Sequence, residues 1–491
     1  MPLLALFALA MLLAPILAQE PILLRRDHVL GTSLDLAVRS DRKSADLFLS
    51  VVLEEIERLD AIFSNWRKDT PVAALSRGEV VKDAQKELLE VLQCAEQMRL
   101  QSTGAFDVRI GGVIEIWRQA YTSGKAPDRA LLDTAVAAMH GSGLAIDAAH
   151  RTIAPKGKLT LVLDGIAKGY IIEAAVKKAR AACPDVAGAL LDVGGDQVAF
   201  TLPGGVPWQL GVLDPRRPED NGRVMLRVPF LSGAAATSGG YARGGKVDGG
   251  WRSHIVDPGF GQPATGALQA TVMADDAMTA DALATAFCVL PPAESLQVAQ
   301  RLPGVECLII DDKGKRHATR GFQELLRHAT EAVGGSGDSA FPKNHELAIE
   351  LALPKLDARR YERPYVAVWV EDQQRKHVAT LALWGKNRRW VSELTNWWKA
   401  DPDSGDQVDA IGRASRGPGE YRLAWNGADD AGSAVAPGEY TVVIEVSREH
   451  GGHTTSRQKI VCGDKPASAS FTANRELASA SLRYGPREAA R

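Results

Sequence analysis

Apolar and polar positions repeat with two different periods along this chain, and the change of period divides it. In residues 44–63 the apolar positions are Phe48, Val52, Ile56, Leu59 and Phe63, which is helical spacing. Further helices are predicted near 85–99, over 113–121 and over 128–139. Ahead of them, His28 to Val38 reads as a strand interrupted at Gly31-Thr32. From Leu144 the pattern shortens, predicting strands at 159–163, 189–193, 197–202, 208–213, 224–229, 231–237 and 268–273. Helices are predicted at 168–182 and 279–290, the second with Thr279 as N-cap. Helices and antiparallel-looking strands without regular β–α–β alternation predict an α+β fold.

Gly334-Gly335-Ser336-Gly337 is a linker signal. Beyond it the period is two, with strands predicted at 346–353, 366–370, 377–383 and 440–446. Turn residues separate them, the pattern of an all-β sandwich. From about 465 the chain is rich in Ala, Ser, Glu and Arg, which predicts a disordered tail. The expected organisation is a leader at 1–18, an α+β domain at 19–330, a linker at 331–340, a β-sandwich at 341–463 and a tail at 464–491. There is no internal repeat of fixed period.

Composition changes this picture in three places. The 58 basic and 60 acidic residues leave a net charge of -2, so nothing points to nucleic acid or to a polybasic membrane patch. Pro2 to Ala18 carries no charged side chain and is shorter than the roughly 20 residues a membrane-spanning helix needs. It ends on a small residue, Ala18, and predicts a cleaved secretory signal, hence a periplasmic or secreted protein, with an uncleaved anchor as the alternative. The five cysteines are scattered, which argues against a disulfide framework or a zinc cluster. Cys288 and Cys307 lie in apolar runs and are expected to be buried and inert.

Several short segments carry candidate chemistry. Asp281 and Thr285 are four apart on a predicted helix and share a face. They are hard oxygen ligands of the kind Mg²⁺ takes, although an acidic residue near a helix start is also favoured by the helix dipole. Asp164-Gly165-Ile166-Ala167-Lys168-Gly169-Tyr170 runs from a strand through a glycine turn into a helix. Such a start, with Lys168, suits an anion, but the spacing is not that of a Walker loop and a plain turn fits as well. Gly194-Gly195-Asp196 is either a tight hairpin or a close backbone approach to a ligand. Thr103-Gly104-Ala105-Phe106-Asp107 is consistent with a helix C-cap. Ser253-His254-Ile255-Val256-Asp257-Pro258 places an imidazole, the side chain suited to proton transfer near neutral pH, at a turn.

In this order the segments resemble one family, the ApbE-like FAD:protein FMN transferases, across about residues 28–325. The resemblance also takes in Gly31-Thr32, Phe63-Ser64-Asn65-Trp66 with Ser76, Thr237-Ser238-Gly239 and the Ala280 to Ala286 segment. It implies an enzyme that binds FAD and a divalent metal, usually Mg²⁺. Such an enzyme joins FMN through its phosphate to a Thr or Ser of a target protein and releases AMP. Hydrolysis of FAD to FMN and AMP, or flavin binding without chemistry, stays open. The resemblance assigns Asp281, Thr285 and a backbone carbonyl near Gly165 to the metal. It makes His254 the base, oriented by Asp257, and puts Lys168 near the phosphates. For the flavin nucleotide it implies Thr32, Ser64, Trp66, Phe106, Asp107, Asp164, Gly165, Ile166, Lys168, Gly194, Gly195, Asp196, Ser238, Gly239, His254 and Ile255, with Trp66 and Phe106 as ring faces. The partners it allows are an acceptor flavoprotein with a Thr or Ser site and a membrane-associated redox partner, and no nucleic acid.

This chain departs from the family at Val162 and Asp164, where Asp and Gly are usual, a change read as turning the carboxylate to another face. Glu173 stands for a frequent Asp, Leu30 for Met and Trp66 for Tyr. Trp369-Val370-Glu371-Asp372, Leu383-Trp384, Trp425-Asn426-Gly427 and Pro437-Gly438-Glu439-Tyr440 resemble an uncharacterised periplasmic family and immunoglobulin-like envelope domains. Six tryptophans between Trp369 and Trp425 are expected either in a core or on a docking face.

Overall fold

Apolar residues at helical spacing bury one side of α1 (Arg42–Phe63), where Phe48, Val52, Ile56, Leu59 and Phe63 are all buried. Asp41 caps it, its carboxylate accepting the Ser44 N–H at 2.9 Å. The structure is a computed structural model. It describes residues 21–486 apart from 217–223, 242, 329, 332–340, 343–344, 356–363, 385–392, 401–417, 431–432 and 449–451. The predicted leader at 1–18 and the Gly334–Gly337 linker lie outside the described residues. The chain divides into two compact units, the first built on Val29–Arg216 and Val228–Ala329.

Eight strands of the first part form one sheet whose spatial order is their order in the chain. They are β1 (Ile22–Val29), β2 (Thr32–Arg39), β3 (Gly188–Val193), β4 (Asp196–Thr201), β5 (Gly233–Gly239), β6 (Gln269–Ala274), β7 (Glu306–Ile310) and β8 (Arg316–Ala318). From β2 onward every neighbouring pair is antiparallel. The Gly31-Thr32 interruption is the turn between β1 and β2, with Leu30 and Gly31 both at positive φ. Most of the helices are inserted between β2 and β3. Among them are α2 (Gly111–Ser123) and α3 (Ala167–Ala182), and α3 packs along α1. Helix α4 (Ala277–Val289) follows β6 and packs on β5, β6 and α3.

Two expectations fail here. Leu159–Leu163 joins no sheet; Thr160 makes one isolated bridge to Ile110, and the Val162 N–H donates to the Val108 carbonyl at 2.8 Å. Leu159, Leu161 and Leu163 are buried, so an extended connector imitates strand alternation without a ladder. Thr279 is not the N-cap of α4. Asp276 is, accepting the Thr279 N–H at 2.9 Å, while Glu173 accepts the Ala277 N–H at 2.7 Å.

The second unit is a sandwich of two four-stranded antiparallel sheets. Its strands are β9 (His345–Leu353), β10 (Tyr365–Glu371), β11 (His377–Trp384), β12 (Gly419–Trp425), β13 (Gly438–Ser447), β14 (His453–Cys462), β15 (Ala467–Ser470) and β16 (Ser479–Pro486). One sheet runs β12-β9-β16-β15 and the other β11-β10-β13-β14. Val366, Val368 and Val370 of β10 face the core between them. Tyr365, Ala367 and Trp369 face outward and are covered by Leu394 and Trp397, the latter on α5 (Thr395–Ala400). Buried Glu445 holds α5 in place, its carboxylate accepting the N–H groups of Asn396 (3.0 Å) and Trp397 (2.8 Å). Trp369, Trp384, Trp397 and Trp425 are fully buried, so these tryptophans belong to the core.

The predicted tail is a correction. β16 lies between β9 and β15, and Ala480, Leu482 and Tyr484 are buried at two-residue spacing. Three apolar residues suffice for the inner face of a short strand, and the polar composition around them conceals the period. A full chain ended at residue 464 is expected to lose the sandwich, because each large side chain deprived of its core costs about 1.5–3 kcal/mol of a margin of about 5–15 kcal/mol. A second unit still protected from hydrogen exchange in that truncated chain would contradict the assignment.

A second expectation concerns Gly169. A Cβ on it would fall on the Ala277 carbonyl, so only glycine lets the start of α3 meet the start of α4. Gly169→Ala is expected to lower stability by about 1–3 kcal/mol or more, read from the denaturation midpoint. An unchanged midpoint would show that the two helix starts are free to separate.

Candidate active site

The contact between α3 and α4 places a carboxylate where a helix of this kind would not otherwise hold one. Helix α4 buries Ala280, Ala282, Leu283, Ala284, Ala286 and Phe287, and Asp281 is buried among them at 3% exposure. Its Oδ2 accepts the Gly169 N–H at 3.2 Å. One turn on, Thr285 Oγ1 lies 3.4 Å from Ser238 Oγ. A Cβ on Gly165 would stand 3.1 Å from Thr285 Oγ1, so Gly165, Ser238, Asp281 and Thr285 are brought together.

Lys168 and Asp196 complete the floor. Gly194 and Gly195, at φ 63° and 96°, form the two-residue turn from β3 to β4 that delivers Asp196. Lys168 Nζ pairs with Asp196 Oδ2 at 2.8 Å. Burial pushes the Asp196 carboxyl up against the opposing pull of Lys168. Burial, then the charges of Asp196 and Asp164, push Asp281 well above the usual carboxylate range. Asp164 keeps an exposed edge, but the surrounding protein raises it as well, opposed by Arg118, Lys168 and Arg243. Burial also disfavours the Lys168 cation, but Asp196 and Asp281 outweigh it and hold its pKa above the usual value. Lys168 is therefore a fixed positive charge and not a proton acceptor.

Of the three carboxylates in this cleft, Asp164, Asp196 and Asp281, only Asp196 is ion-paired among the described residues. A hard divalent cation fits that excess, with the Asp281 carboxylate, the Thr285 hydroxyl and backbone oxygen beside Gly165 as donors. Among the described residues no group of three His, Cys, Asp or Glu side chains forms a metal cage. The donor set thus leaves room for water and phosphate oxygens.

His254 follows the hairpin of Gly244–Val247 and Gly250–Ser253. Helix α2 braces its turn from both sides: Tyr121 OH donates to the Ser253 carbonyl at 2.6 Å, and Trp117 Nε1 donates to the Gly261 carbonyl at 2.8 Å. The Arg243 carbonyl lies 3.2 Å from the His254 Nδ1 and 3.2 Å from its backbone N. A carbonyl only accepts, so Nδ1 carries the hydrogen and Nε2 keeps its lone pair. The ring retains an exposed edge, yet protein crowds it. Burial, with the nearby Arg243 charge, pushes its pKa down to about 4, so the imidazole is neutral at physiological pH and able to accept a proton.

Not every implied residue serves the cleft. Asp257 closes its own turn, its Oδ1 accepting the Gly259 N–H at 2.7 Å; the group that orients His254 is the Arg243 carbonyl. Asp107 is buried in a forked ion pair with Arg109, which leaves it a structural role. Phe106 is 5% exposed and backs Gly165, so its ring is packing and not a free stacking face. Trp66 is 68% exposed, with the Arg118 guanidinium 4.3 Å above its ring. Thr32 packs on the Gly194 turn, and Ser64 ends α1 with its carbonyl accepting Thr70 OH at 2.7 Å. Ile166 and Ile255 are buried anchors, and Gly239 lies against the Tyr241 ring. The expected change of face at Asp164 does not arise. A two-residue shift keeps the face of a strand, and Asp164 sits in the turn before α3.

Residues 30–309, more than half of the chain, match the ApbE family. The chain belongs to the ApbE family. Residues 346–479 match a second family described as predicted periplasmic protein (DUF2271). The FAD:protein FMN transferase of Treponema pallidum is 28% identical over 323 residues, covering 62% of this chain and 88% of that relative. The one from Rhodobacter capsulatus is 29% identical over 252 residues, covering 50% of this chain and 46% of the relative. Among solved structures, the ApbE protein of Thermotoga maritima shares 30% identity and superposes with a TM-score of 0.57, covering 63% of this chain and all of that one. The flavinyl transferase ApbE of Pseudomonas stutzeri, 21% identical with a TM-score of 0.51, shares the fold.

Sequence reasoning singled out neither Arg243 nor Arg118, whose charges act on Asp164 in this ApbE-family chain. Arg243 stands among glycines between Gly239 and Gly250, a run that signals a loop and hides the cation in it. Arg118 looks like one charge on the polar side of an amphipathic helix.

The tautomer is testable. Imidazole ¹⁵N shifts are expected to show His254 neutral and protonated on Nδ1 at pH 6, with a midpoint near 4. A midpoint near the ordinary 6.5 would show a solvated ring that neither burial nor the Arg243 charge holds neutral.

Proposed function

We propose that this chain is an FAD:protein FMN transferase acting outside the cytoplasm. The observation that carries the reading is the pairing of a neutral His254, with Nε2 open, and a buried Lys168–Asp196–Asp281–Thr285 floor. The names of its relatives support it. In the proposed reaction the hydroxyl oxygen of an acceptor Thr or Ser attacks the FMN-side phosphorus of FAD. His254 Nε2 takes the hydroxyl proton. The P–O bond to the other phosphate breaks, and AMP leaves with the bridging oxygen. Lys168 stays protonated and offsets phosphate charge throughout. Asp281, Thr285 and the backbone at Gly165 would hold Mg²⁺, which would supply positive charge to the pyrophosphate. The periplasmic family match of the second unit and the apolar segment at 2–18 support an extracytoplasmic location. Among the described residues no helix is long and apolar enough to cross a membrane.

Mass spectrometry of a flavoprotein incubated with the full chain, FAD and Mg²⁺ is expected to show one added FMN on a Thr or Ser, with AMP released. Chelation should stop the reaction, and Asp281→Asn should slow it about 100-fold or more. The apo variant should melt at or above the wild type, because it removes a buried charge that folding disfavours. Free FMN and AMP with no acceptor modified would instead indicate a hydrolase. FAD left intact with metal present would reduce the protein to a flavin-binding module.

A further inference from the structure

An unpaired cation stands beside the proposed base. The Arg243 carbonyl is committed to His254, 3.2 Å from both the ring Nδ1 and the backbone N. The Arg243 side chain is exposed. Among the described residues its guanidinium takes part in no ion pair or hydrogen bond. Its charge nevertheless reaches Asp164, Asp196, Lys168 and His254. Lys168 is neutralised by Asp196 at 2.8 Å, whereas Arg243 has no such counter-ion. A guanidinium presents a planar fork that matches two phosphate oxygens, and near a water-accessible edge it forms that pair without first losing another.

We propose that Arg243 is a diphosphate-binding residue. Its guanidinium takes oxygens of a nucleotide pyrophosphate while its carbonyl holds the His254 ring. One residue then fixes the anion and the imidazole relative to each other. The link to FAD rests on the transferase reading above; the anion site itself does not.

Calorimetric titration of the full chain with ADP in magnesium buffer tests this. Arg243→Gln keeps the backbone carbonyl and is expected to weaken ADP about 10- to 100-fold, the range for lost hydrogen bonds to a charged group. Arg243→Lys should recover part of that loss, since it restores the charge without the fork. Riboflavin, which lacks phosphate, should bind both variants as it binds the wild type. The His254 midpoint in Arg243→Gln should rise above about 4 through loss of the Arg243 charge, with unchanged riboflavin binding showing that the surface has not simply loosened and solvated the ring. Equal ADP affinity in wild type and Arg243→Gln, no ADP binding by the wild type, a parallel loss of riboflavin, or an unmoved His254 midpoint would each overturn the assignment. If ADP binding depends on Arg243 while FAD is never cleaved, the diphosphate site stands and the transferase reading falls. If FAD is cleaved and Arg243→Gln binds ADP normally, the reverse holds.

Discussion

The hydrogen bond from the Gly169 N–H to Asp281 Oδ2 is the contact on which the first unit's chemistry depends. It joins the first turns of α3 and α4, and it exists because residue 169 has no side chain to hold the helices apart. Helix α4 carries no other charged side chain and is largely apolar, so an ionised carboxylate within it is held against a desolvation cost of several kcal/mol. One backbone donor does not offset that cost. Asp196 and Asp164 increase it, since their charges push the Asp281 proton affinity up further. A fold selected for stability alone would place an alanine there. The site stores an unmet demand for positive charge, and that demand is what a divalent cation and a cationic side chain satisfy when phosphates enter.

The same cleft keeps two of its groups in opposite charge states by opposite local means. Lys168 is crowded by protein, yet two carboxylates hold its proton on. His254 is crowded too, but its charged neighbours are Arg243 and Lys168, so burial and repulsion act together and its proton comes off. A permanent cation and a neutral acceptor therefore coexist at one pH. The Arg243 carbonyl adds direction by fixing the proton on Nδ1. An aspartate in that position, as the sequence suggested for Asp257, would stabilise the imidazolium and raise the pKa instead. The structure uses a neutral acceptor, which orients the ring without charging it.

Legibility in the sequence followed the range of each interaction. The helices of the first unit and four strands of the sandwich have strong periods, so 44–63, 168–182 and 366–370 fall within or near observed elements. Asp281 with Thr285, and Gly165 with Lys168, were readable because each pair is local and ordered motifs surround it. What escaped was set by neighbours far along the chain. Phe106 is sealed against Gly165, and that fact has no local signature. Arg243 matters because a hairpin folds it back eleven residues onto His254. The extended run at 159–163 has a strand's alternation, but a ladder needs a partner, and only Thr160 finds one.

β16 shows the converse error, in which composition outweighed period. Ser479–Pro486 looks polar as a segment, yet it sits between β9 and β15 with Leu482 and Tyr484 turned into the core. A sandwich strand needs apolar residues on one face only, so a segment half made of Ser, Arg and Gly can still be central. Counting apolar residues asks whether a segment can bury itself alone. The relevant question is whether its alternate positions complete a face that other strands have already built, and β9 alone supplies Leu347, Ile349 and Leu351 to that face.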